Sequence, residues 1–102
     1  MARMVLVRTT LPDEAAAHRM AERLVDDGLA VCVHVGRIYS VYRWKGQREG
    51  ETEWMLEART RRSLEGKLRE AIEEGHPYEL PIVESAAWTV NRGYLEWARS
   101  LG

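Results

Sequence analysis

The chain has 102 residues, 45% of them hydrophobic, with 15 basic and 16 acidic side chains and a formal net charge of −1. That length predicts one domain over residues 1–102 with enough apolar side chains for a core. So even a charge balance gives no electrostatic basis for nucleic-acid or membrane partners, and a single cysteine excludes an internal disulfide, which suits a reducing compartment.

Residues 4–10 (MVLVRTT) are β-rich and predict the first strand. Their apolar run stops at Arg8, too short for a secretory h-region, and no stretch reaches transmembrane length. The expected location is therefore cytoplasmic. Pro12 suits a first helical turn, with Asp13 and Glu14 at the positive end of the dipole. Ala17, Met20, Ala21, Leu24 and Val25 recur at helical spacing, and Gly28 is the expected stop. Residues 30–35 (AVCVHV) return to strand, with Val31, Val33 and Val35 on one side and Cys32 and His34 on the other. Gly36 marks an expected bend or bulge, after which residues 38–44 (IYSVYRW) continue extended.

Residues 45–52 (KGQREGET) read as a polar turn closing a hairpin onto a strand over residues 53–59. A helix is expected from about residue 62 to 74, its stripe made by Leu64, Leu68, Ala71 and Ile72, with Gly66 inside it. Residues 82–88 (IVESAAW) predict a fourth strand. Asn91 is the expected N-cap of a last helix carrying Tyr94, Leu95, Ala98 and Leu101. The order β-α-β-β-α-β plus a terminal helix predicts an α+β, ferredoxin-like fold. Its four-stranded antiparallel sheet has both main helices on one face.

Two helices cover one face of such a sheet. Yet Tyr39, Val41 and Met55 fall on the register opposite Tyr42, Trp44 and Trp54 within their own strands. A long hairpin with aromatics on both sides predicts self-association, since bare it would be an aggregation hazard.

The segment GHPYELP, residues 75–81, raises the question of a site. Gly75 is expected as a left-handed helix stop, Pro77 pushes His76 toward extended backbone, and Pro81 can open the fourth strand. Those roles leave His76, Tyr78 and Glu79 unexplained. HPYE followed by Pro81 resembles the signature of the CutA family, the divalent-cation tolerance proteins. The resemblance continues through Pro12-Asp13-Glu14 and Leu29-Ala30 leading to Cys32. On the hairpin it takes in Gly36, Ser40, Tyr42, Trp44 and Gly46; beyond it come Glu53, Leu56, Thr60 and Tyr94-Leu95-Trp97. It covers nearly the whole chain, in order.

The resemblance implies a ferredoxin-like subunit packed as a homotrimer through its sheets, with divalent metal ions as ligands, copper among them. His76 and Glu53 occupy family positions implicated in metal binding, and Cys32 matches the family's strand-two cysteine. Some relatives have a further cysteine where this chain has Thr9. His34 and Arg59 replace the usual asparagine and lysine, and His34 reads either as an added ligand or as a space filler. The residues themselves show no compact ligand box such as HxH or CxxC. A thiol within AVCVHV is expected to be buried and inert. His76 and Glu79 are the conceivable base and orienter of an enzyme, but no nucleophile, phosphate loop or cofactor motif accompanies them, so catalysis is not expected. The alternative reading is a trimer similar to the PII signalling proteins, binding a small ligand or a partner protein.

Overall fold

The computed structural model describes residues 2–101. Its elements are β1 (Arg3–Leu11), α1 (Glu14–Asp26), β2 (Cys32–Trp44), β3 (Gln47–Thr60), a 3-10 turn (Arg62–Leu64), α2 (Glu65–Glu74), β4 (Glu84–Thr89) and α3 (Arg92–Ser100). The four strands form one antiparallel sheet in the order β2-β3-β1-β4, the α+β arrangement expected from the order of elements.

Local chemistry sets the ends of α1. Asp13 is extended, and its Oδ1 accepts the Ala16 N–H at 2.8 Å, making it the N-cap. Pro12 therefore precedes the cap instead of occupying the first turn. At the other end Gly28 has φ +72. Its N–H donates to the Val25 carbonyl, and the Leu29 N–H donates to that of Leu24, both at 3.0 Å. This paired closure requires a left-handed residue, which glycine supplies without strain.

The core lies between the sheet and the α1–α2 layer. Val5, Val7 and Leu11 of β1 alternate inward and meet Leu56 and Ala58 of β3 beneath Leu24, Leu68 and Ile72 of the helices. The 3-10 turn takes the start of the expected second helix, so Gly66 lies in the first turn of α2, not in its interior. Met4 faces away from Val5 and is buried by Leu95 and Ala98 of α3. That helix thus covers one end of the sheet's second face and leaves the rest open. Asn91 precedes α3 as expected, but its side chain makes no capping hydrogen bond.

The long hairpin differs most from expectation. β2 runs without interruption through Gly36, which pairs in register with Met55, so no bulge forms. The turn is only Lys45 and Gly46, with φ of 47° and 79°. Positive φ at both central residues is the two-residue geometry whose twist matches the flanking strands. The polar residues expected as turn are therefore ladder, pairing outward to Trp44↔Gln47. The hairpin projects beyond the helices as an arm. Tyr39 and Val41, on the helix side, are 69% and 62% exposed; Tyr42 and Trp44, on the open side, are 39% and 41% exposed.

β4 begins at Glu84, later than expected, and pairs only with Arg3 to Arg8 of β1. Thr9, Thr10 and Leu11 are paired by β3 alone, which frees one side of their backbone for the segment that follows α2.

Candidate functional site

That segment is HPYE, which passes as a strap beside the free end of β1. Gly75 leads into it at φ −91, not the left-handed conformation expected. A Cβ here would meet the guanidinium of Arg23, the movable end of an exposed side chain that reaches from α1 to donate to the Ala71 carbonyl at 3.5 Å. Pro81 likewise does not open β4, and residues 81–83 remain outside the ladder.

Two links tie the strap to the sheet. The Tyr78 N–H donates to His76 Nδ1 at 3.1 Å, and His76 Nε2 lies 2.8 Å from Thr9 Oγ1. A backbone N–H can only donate, so Nδ1 is the acceptor and Nε2 carries the ring proton toward Thr9. The ring also stacks at a tilt on Tyr78, with centroids 5.1 Å apart. Burial lowers the His76 pKa and outweighs the opposite pull of the Thr10 backbone and Glu53. The imidazole is therefore neutral in neutral solution.

The second link is Tyr78 itself, whose hydroxyl donates to Glu53 Oε2 at 2.6 Å. Glu53 is only 7% exposed. Burial pushes its carboxyl up, but the Tyr78 hydrogen bond, with the Ser40 and Thr10 hydroxyls and His76 nearby, holds its pKa below the ordinary value. The same partnership, together with burial, raises the Tyr78 phenol. Farther along the arm Tyr42 donates to Glu51 Oε1 at 2.6 Å, and its pKa is pushed up to about 12.

Between strap and arm lies a cleft of about 560 Å³ lined by Ser40, Tyr42, Trp44, Glu51, Glu53, Tyr78, Glu79, Leu80 and Ile82 among others. Part of its acidic wall was detectable in the sequence, since Glu51 and Glu53 alternate along one side of a strand once the residues around them are read as ladder. The Tyr78–Glu53 bond had no such signal, because its partners are 25 residues apart.

His76 and Glu53 are thus brought to one strap, but Cys32 is not. It pairs with Arg59 at one end of the β2–β3 ladder, whereas the Ile38↔Glu53 pair lies at its middle, a span of roughly 20 Å at strand rise. Nor is Cys32 buried as expected; it is half-buried on the open face. Its neighbour is His34, with Sγ and Nε2 3.5 Å apart, while Arg59 Nη1 lies 3.3 Å from His34 Nδ1. Arginine has only donors, so this ring too accepts at Nδ1, and His34 bridges a thiol and a guanidinium. Thr9 is the residue that meets His76.

A metal ion needs several unprotonated ligands converging on one point. Within one chain the expected set does not provide that, because Cys32 is remote and His76 Nδ1 already accepts the Tyr78 N–H. Among the described residues, no group of three or more His, Cys, Asp or Glu side chains is placed to hold an ion. None of the described helices is long and apolar enough to cross a membrane.

The CutA1 divalent ion tolerance protein family model matches residues 5–100. The divalent-cation tolerance protein CutA of Thermus thermophilus is 38% identical over 96 residues, covering 92% of this chain and 93% of the relative. CutA1 from Pyrococcus horikoshii has a similar structure, with a TM-score of 0.91 at 30% identity over 95% of this chain and 96% of that one. The periplasmic divalent cation tolerance protein CutA from Archaeoglobus fulgidus gives a TM-score of 0.91 at 26% identity, covering 96% and 97%.

Proposed function

This chain belongs to the CutA1 divalent ion tolerance family, and from that membership we propose that it is a cytoplasmic, homotrimeric binding protein in the response to divalent metal ions, copper among them, and not an enzyme. The observation that carries the trimer is the arm, which has exposed aromatic and aliphatic side chains on both faces, beyond the reach of α1, α2 and α3. Three subunits closing over these arms bury both faces and pair the outer edge of β2, thirteen residues long.

Metal binding in this reading draws on His76 and the carboxylates around it, with ligands from more than one subunit, because one chain does not gather enough. Imidazole suits copper, and carboxylates suit harder cations. An ion taking Nδ1 of His76 must displace the Tyr78 N–H, so it binds at the expense of the strap.

Two measurements test the proposal. Light scattering in dilute solution should give about three times the 11.8 kDa subunit mass; a folded particle of subunit mass refutes the trimer. Calorimetry of the tag-free protein with copper and zinc should show binding that His76→Ala weakens. Equal binding by parent and variant removes His76 from the site.

A further inference from the structure

We propose that the arms of neighbouring copies stack unlike face on unlike face, the basic helix-side face of one arm against the acidic open face of the next. This deepens the trimer reading and rests on it. Directly paired residues of an antiparallel ladder share a face. Tyr39↔Thr52, Val41↔Gly50 and Arg43↔Arg48 therefore make the helix-side face of the arm. Ser40↔Glu51, Tyr42↔Glu49 and Trp44↔Gln47 make the open face. The charged residues of the first face are both arginine, and those of the second are both glutamate. The sorting continues toward the sheet, with Arg37 on the first face and Glu53 on the second. Lys45 sits in the turn, outside the ladder.

Within one chain this arrangement is uncompensated. Arg43 and Arg48 stand directly opposite each other near the tip of the arm, and like charges so placed repel. Among the described residues neither takes part in an ion pair. Glu49 and Glu51 project from the reverse of the same ribbon, around Tyr42. The ribbon itself lies between the two signs of charge.

Symmetry then decides how copies meet. A two-fold pair brings like faces together, setting arginine on arginine or glutamate on glutamate. Unlike faces complement each other, and they also cover the exposed Tyr39 and Val41 of one arm with Tyr42 and Trp44 of the next. Such a head-to-tail contact leaves each copy one face still to be matched, so it continues until a ring of subunits closes. The charge pattern thus favours a cyclic assembly and makes it sensitive to ionic strength, since the screening length falls to roughly 3 Å in molar salt.

The test is subunit exchange between unlabelled and isotope-labelled copies of the tag-free full chain, read by native mass spectrometry, because interface changes act mainly on dissociation. Exchange by the parent should be about tenfold faster in molar sodium chloride than in low salt. Reversing one face, by Arg43→Glu with Arg48→Glu or by Glu49→Arg with Glu51→Arg, should speed exchange by about tenfold or leave single subunits. The chain carrying all four substitutions should exchange as slowly as the parent and form no mixed rings with it, because every mixed contact sets like charges together. A folded parent of subunit mass removes the trimer reading and this proposal together. An assembled parent whose exchange ignores salt overturns the face pairing alone, and so does a fully swapped chain that exchanges as fast as either half. The salt series on the parent decides the matter even where a variant misfolds.

Discussion

Replacing Tyr78 with phenylalanine removes one oxygen and isolates the bond that fastens the strap to the sheet. The ring remains, and with it the stacking on His76. What is lost is the 2.6 Å hydrogen bond to Glu53, a carboxylate only 7% exposed. A hydrogen bond to a charged group contributes about 1.5–3 kcal/mol. Ser40 and Thr10 remain beside Glu53 to stabilise the carboxylate, so the expected loss lies near the lower end, about 1.5–2 kcal/mol at neutral pH.

The pH dependence supplies an independent check. The Glu53 pKa is lowered in the folded state. Its contribution is therefore fully present above the unfolded-state value, about 4.3, and is lost as pH falls through the folded-state value. Tyr78→Phe removes a donor that favours the carboxylate, raising the folded-state pKa toward the ordinary one. The gap between parent and variant should be full at neutral pH and shrink in acid below about pH 4. Denaturant unfolding at one fixed protein concentration measures it, since an assembled protein's apparent stability varies with concentration. Equal stability at neutral pH would refute the argument, and so would a gap that persists undiminished in acid.

Leu56 is fully buried on β3, and Leu56→Ala should cost about 2–5 kcal/mol in the same unfolding assay. Gly46 sits at φ 79 in the arm's turn, so Gly46→Ala should cost about 1–2 kcal/mol; no loss would mean the turn relaxes freely. Tyr42 ionises late because its hydroxyl donates to Glu51. Glu51→Gln should bring that transition down from about 12 in an ultraviolet alkaline titration, and an unchanged curve would contradict the pairing. Arg69 joins α2 to β4 by donating to Ser85 Oγ at 2.9 Å and to the Val83 carbonyl at 3.1 Å. Arg69→Ala should destabilise the protein by about 1–2 kcal/mol.

The order of elements was legible because periodicity is a local property: Ala17, Met20 and Leu24 repeat as a helix must, and residues 4–7 are β-rich. Turn chemistry misled where composition and pairing disagree. Residues 47–52 have the glycine and charge of a loop, but a tight turn at Lys45 and Gly46 commits them to the ladder. Gly75 has the sequence context of a left-handed stop, but at φ −91 it adopts a backbone conformation open to any residue. The strap was recognisable through HPYE, and His76 and Glu53 do come together there. The bonds to Thr9 and Tyr78 are long-range facts that no local pattern encodes. The separation of Cys32 from His76 is likewise a matter of register, since the strap meets the middle of the hairpin and Cys32 lies at one end of its ladder.

β1, one of the sheet's two inner strands, is synthesised before both strands that flank it. Val5 waits for Thr60 and Arg8 for Glu84, while Thr9 meets His76 only after most of the chain exists. At ordinary translation speeds these 102 residues take on the order of 5–20 seconds to appear; the MVLV run gains no native strand partner until β3 is made, and none on its other edge until β4 is. Folding is consequently ruled by distant pairings, which are slow to close.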